Sequence, residues 1–185
     1  MNGRIFFTGN PWPEGHVIDE FRWSAARRGA NIWFDLHLVT ANYYAERDIE
    51  EDEDTDYETD WMSPGVWGNY GRCTISSSKW HRGGFLACPA SEYEARRIDG
   101  LRLAVDPSPI DLRESYETRA FHIYLLGHDS VADHELRFSR AQGSDLFNID
   151  WRGRIALTYA GGYELEHDFR AAIAGVSLPM AEDGT

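Results

Sequence analysis

The ten residues NIWFDLHLVT, at 31–40, constrain the fold more than any other stretch of this chain. Successive side chains of an extended backbone point to opposite faces. Ile32, Phe34, Leu36 and Leu38 therefore share one wholly apolar face, while Trp33, Asp35, His37 and Val39 share the other. The segment must be a strand that buries one side.

Period-two runs recur along the chain. GRIFFTG at 3–9 is an opening strand, ended by the turn-rich GNPWPEG. VIDEFRWSA places Val17, Asp19, Phe21 and Trp23 on one side and Ile18, Glu20 and Arg22 on the other. VWGNYGRCTISSSKW is expected as a strand pair broken at 68–71, GGFLACP as a short buried strand, and LRLAVDP as a strand closed by proline. RAFHIYLLG, the most apolar run, predicts a central strand buried on both faces, and HELRFSR a further strand. In LFNIDWRGRIALTYAGG a three-residue loop at 151–153 would set Asp150 opposite Arg154 and Ile149 opposite Ile155, so a hairpin is expected there. YELEHDFRAAIAGVSLP suggests another strand pair ahead of a short flexible tail.

Helix signals are few. SEYEARRIDG carries helix formers and ends at Gly100, and SPIDLRESYE could start a short helix at Pro109. No stretch is long enough for βαβ crossovers, which excludes Rossmann and TIM architectures. The fold class is all-β with at most one or two short helices, as an antiparallel β-sandwich or a strongly bent open sheet.

With 185 residues, 42% of them hydrophobic and 14% aromatic, the chain suits one domain with a real core over 1–185. Its formal net charge of -13 repels phosphate backbones and would attract a basic partner, so a nucleic-acid partner is not expected. Cys73 and Cys88 are too few for a disulfide framework and are expected as buried, reduced thiols. No apolar run approaches membrane-spanning length, and the N-terminus lacks a secretory pattern, so a cytoplasmic protein without a membrane partner is expected.

GHDSVADHELRF, at 127–138, is the densest group of potential metal ligands: His128, Asp129, Asp133 and His134. The two histidines are six residues apart, outside the three-to-five spacing of a zinc half-motif and on opposite sides of a helix. A turn in which Ser130 and Asp133 form a capping box is the first expectation, and an ion held by a folded loop, joined by His37 or His122, the second. The run ERDIEEDEDTDYETD, at 46–60, holds ten acids and one arginine in fifteen residues and must be solvated. Its alternating acids resemble a calcium loop, but Tyr57 stands where an EF-hand needs glycine and Ser63 where it needs glutamate. No G-x-S-x-G elbow or phosphate-binding glycine loop occurs, and no cofactor is implied.

The seven tryptophans exceed what a small β core hides, so some aromatic rings are expected at the surface. Together these features point to a non-enzymatic, acidic interaction protein with a basic protein partner. Asp52, Asp54, Asp56 and Glu58 would steer, and Trp61, Tyr43 and Tyr44 would anchor. Inhibitors or immunity-type partners of basic toxins and nucleases share that surface character. The alternatives are a metal-binding protein or metal-assisted hydrolase built on the 127–138 cluster, and a carbohydrate-binding module.

Overall fold

A computed structural model describes residues 2–49, 55–77, 84–114 and 116–183. In chain order the strands are β1 (Asn2–Phe7), β2 (His16–Arg28), β3 (Asn31–Thr40), β4 (Thr74–Ser76), β5 (Phe85–Pro89), β6 (Arg102–Val105), β7 (His122–Tyr124), β8 (Ser130–Arg140), β9 (Leu146–Ala156), β10 (His167–Ser177) and β11 (Ala181–Asp183). Two short helices, α1 (Pro64–Tyr70) and α2 (Ala95–Ile98), complete the set. The strands form one strongly curled, open half-barrel sheet in the order β6-β8-β9-β10-β1-β2-β3-β4-β7. Strand accounts for 47% and helix for 10%, so the all-β expectation holds in its bent-sheet form.

Curling lets the sheet bury its own inner face. Ile32, Phe34, Leu36 and Leu38 of β3 are all fully buried, as their alternation requires. Phe34 meets Phe138 of β8 across the curl at 5.5 Å between ring centroids, with Trp23 of β2 touching both. Trp23 reaches this interior because β2 slips register at Asp19, between Ile18 and Glu20. The extra residue moves the inward side from His16 and Ile18 to Phe21, Trp23 and Ala25. A simple alternation through Val17 and Trp23 misses that switch.

Several expected elements differ. Residues 151–153 do not turn: β9 runs unbroken from Leu146 to Ala156 between β8 and β10, and Asp150 lies opposite Arg137 rather than Arg154. Gly153 serves a close approach instead, since a Cβ there would stand 2.5 Å from the Phe169 ring and 3.0 Å from His134 Nδ1. The segment expected as a strand pair around 68–71 is α1 followed by β4. Ser63 caps the helix by accepting from the Val66 amide at 3.4 Å, and Pro64 occupies its first turn.

The apolar run at 119–127 contributes only His122–Tyr124 as strand, at an end of the sheet path, with Leu125 and Leu126 buried beyond it. Pro109 begins no helix. The stretch from 163 yields one strand, β10, bulged between Ile173 and Val176. Residues 181–183, expected in a loose tail, form β11, which pairs in parallel with Ala25–Arg27 of β2. Cys73 and Cys88 are buried and unpaired. No helix among the described residues is long and apolar enough to cross a membrane.

Candidate functional site

The acidic run leaves and re-enters the fold at one place, the turn between β1 and β2. On the departing limb, Glu46 accepts from both terminal nitrogens of Arg4, at 2.6 and 3.1 Å, and Arg4 also donates to the Glu14 and Gly15 carbonyls. That guanidinium holds the Glu46 carboxyl below the usual carboxylate range. Arg47 approaches Glu14 at 3.4 Å, and the Trp12 indole donates to the Arg47 carbonyl. On the returning limb, the Trp61 indole donates to the Thr8 carbonyl at 2.9 Å, and its ring lies flat on His167 at 3.8 Å. Trp67 of α1 donates to the Trp61 carbonyl at 2.8 Å.

Tyr43 and Trp61, expected as exposed anchors, are instead 2% and 3% exposed. They pack with Phe7, Trp12, His16 and Trp67 in an aromatic cluster under α1. Apolar rings beside an acidic loop minimise their free energy by entering the core, and the hydrogen-bonding tips of Tyr43 and Trp61 find carbonyls there. Tyr44 is half-buried, its hydroxyl donating to the Pro64 carbonyl. His16, inside the cluster beside Asn10, is pushed down to about 4 by burial. Asp48, Asp56, Glu58 and Asp60 are exposed, while Asp52 and Asp54 lie outside the described residues. The aromatics therefore root the acidic segment, and its described acids face solvent.

The four residues of the 127–138 cluster have four separate settings. His128 is exposed, its ring edge-on to Tyr124. Asp129 is buried and accepts from the amides of Leu126 and Tyr159, with burial pushing its carboxyl up. Ser130 opens β8, so no capping box forms. Asp133 and His134 together face the single residue Gly153 in a β-bulge between Ala132 and Glu135. Asp133 takes the left-handed conformation (φ 53°) that such a bulge usually reserves for glycine. Its carboxylate accepts from the Ser108 amide and hydroxyl at 2.5 and 2.8 Å and meets Arg154 at 3.4 Å. Burial opposes ionisation of Asp133, but these contacts outweigh it and hold the carboxyl low.

His134 goes inward and is 1% exposed, packed against Phe121, Trp151 and Phe169. An indole only donates, so the Trp151 Nε1–H to His134 Nδ1 bond, 3.0 Å, places the imidazole proton on Nε2. Burial first, and then the nearby Arg119 charge, push this histidine down to about 3. Neutral, with its lone pair engaged, it is neither a base nor a ready metal ligand. No three His, Cys, Asp or Glu side chains among the described residues are grouped to hold a metal ion.

The residues that sequence reasoning missed lie just across from this bulge. Asp106, also left-handed (φ 50°), accepts from the amides of Ala120 and Phe121 at 2.9 Å each, and its carbonyl takes the Asp133 amide. Burial raises the Asp106 carboxyl. Two strained aspartates thus pin both ends of the connection between β6 and β7. Beside them Arg119 is buried at the head of the apolar run, where a charge preceding six hydrophobic residues in seven was the available signal. Comparison with protein-family models, with curated proteins and with solved structures finds no match to this chain.

Proposed function

We propose that this chain is an acidic interaction protein that takes a basic protein partner on segment 46–60, in the manner of an inhibitor or immunity-type protein. The observation that carries this reading is where the charge sits. Ten of the chain's 31 acids and one of its 18 lysines and arginines fall in those fifteen residues, so the segment holds -9 of the net -13 and all other residues only -4. Charge spread for solubility alone has no reason to concentrate in this way. Both limbs are tied to one turn and one aromatic cluster, so the segment starts and ends on a fixed base. Such an arrangement accelerates encounter with a cationic surface and is screened by salt beyond a Debye length of about 8 Å at physiological ionic strength.

The test compares two triple variants of equal net charge. One is Asp52→Asn, Asp54→Asn and Asp56→Asn; the other is Glu92→Gln, Glu164→Gln and Glu182→Gln, three exposed acids elsewhere. Association with an arginine-rich peptide is followed by stopped flow at 20 and 500 mM NaCl. The first triple is expected to slow association about tenfold or more at low salt and little at high salt, with the second near the parent protein. Equal rates for the two triples at low salt would reject the segment as the docking element.

A further inference from the structure

We propose that the cleft between Arg28 and Arg119 binds a small organic carboxylate through its charged end and an apolar body. The cleft has a volume of about 590 Å³ and runs along the junction of β3 and β5 with the connection that follows β6. Arg119 forms its inner wall and is only 2% exposed. A guanidinium carries five N–H donors. Here one terminal nitrogen reaches the Val131 carbonyl at a long 3.4 Å, and the buried Nε has no partner among the described residues. Asp106, whose charge acts on this guanidinium, uses both carboxylate oxygens on the Ala120 and Phe121 amides. A buried charge left so thinly paired is costly to retain, which makes an oxyanion acceptor the missing half of the arrangement.

The rest of the lining defines the ligand. Arg28 is held at the rim with its guanidinium 4.9 Å over the Trp33 ring, so a second cation faces the cleft from a fixed position. Trp33, the buried Phe85 and Leu86 supply apolar wall, and Leu86 is 52% exposed, leaving apolar surface for a ligand body to cover. Asp106 and Glu117 also line the cleft. These acids, with Asp35 close to Arg28, repel a doubly charged phosphate monoester more strongly than a singly charged carboxylate. Planar, bidentate recognition by a guanidinium suits a carboxylate in shape as well as sign.

The experiment is a thermal-unfolding titration of the full chain with four probes: phenylacetate, octanoate, phenyl phosphate and the neutral phenylacetamide. Phenylacetate or octanoate is expected to raise the melting temperature saturably, by on the order of 3–5 °C at ten times its Kd. Phenylacetamide is expected to bind at least tenfold more weakly. Arg119→Met is expected to stay folded, since an underpaired buried cation gives way to an apolar side chain of similar length, and to lose the carboxylate shift. Leu86→Asp, at an exposed position, provides a second folded variant that loses it by like-charge repulsion. The proposal is overturned if neither carboxylate binds at 10 mM, if the neutral amide binds equally well, or if the shift survives in both variants. Binding of phenyl phosphate in place of the carboxylates would overturn the assignment of ligand class.

Discussion

Two connections leave this sheet and handle charge in opposite ways. Segment 46–60 carries its acids along its length; Trp61 and Trp67 hold its returning end, and the Trp12 indole joins the Arg4–Glu46 pair at its departing end. The sixteen residues between β6 and β7 are pinned by ionisable side chains at their ends: Asp106 holds Ala120 and Phe121, and Asp133 holds Ser108. Rings can root a loop whose own charges stay hydrated, because burying each needs only one carbonyl for its polar tip. Carboxylates can pin a loop only where several N–H donors converge, because each buried oxygen must be satisfied. The first arrangement leaves charge free for a partner, while the second consumes it in the fold.

The largest effect expected from this contrast is at the aromatic root. Trp67→Ala removes a fully buried indole from its centre and is expected to lower stability by about 3–5 kcal/mol in chemical denaturation. A loss under about 1 kcal/mol would mean that the rings do not secure the acidic segment. Next comes Asp106→Ala, which orphans two partly buried amides and forces alanine into a left-handed backbone, for a loss of about 2–4 kcal/mol. Asp106→Asn, which tolerates that backbone and keeps one acceptor, should lose clearly less. Equal losses for the two would show that charge, not geometry, secures this connection.

Acid titration acts on both roots at once. His16 (about 4) and His134 (about 3) are depressed below an unfolded value near 6.5, so the unfolded chain binds protons that the fold refuses. Stability is therefore fully present above about pH 6.5 and falls as the pH drops, by about 1.4 kcal/mol per pH unit for each histidine until its folded value is reached. Denaturant midpoints between pH 7 and 4.5 check the slope. Replacing either histidine by leucine should roughly halve it, and an unchanged slope in both variants would remove these two residues as its source. The smallest effect is expected from Asp56→Asn with Glu58→Gln, within about 0.5 kcal/mol of the parent protein, because both side chains are hydrated in the fold. A larger loss would move the acidic segment from display into structure.

The sequence made legible whatever depends on one strand and one face. β3 was readable to the residue because four apolar side chains at period two have a single way to be buried together. β9 was misread because Trp151, Arg152 and Gly153 are compatible with a hairpin loop, and what decides otherwise is remote. Phe169 and His134 crowd Gly153 from the two neighbouring strands. The same holds at 127–138, where ligand-type residues stand together in sequence while a one-residue bulge shifts the inward side, so that His134 rather than Asp133 enters the core. Exposure of Tyr43 and Trp61 was inferred from more aromatic rings than a small β core hides, yet both are buried, their polar tips met by the carbonyls of Leu125 and Thr8, far away in the chain. α1 left its signal in Ser63 and Pro64, which the glycines at 68 and 71 obscured.

β11 gives the sheet a form of insurance against self-assembly. Its three residues lie in parallel along Ala25–Arg27, on the side of β2 that β1, paired only at His16 and Val17, does not cover. Without them that stretch would offer a ladder of unmet amides and carbonyls to any other extended chain, including another copy of itself. A version shortened at residue 178 would keep its core and its clefts, yet it should dimerise or precipitate at concentrations where the longer chain stays dispersed.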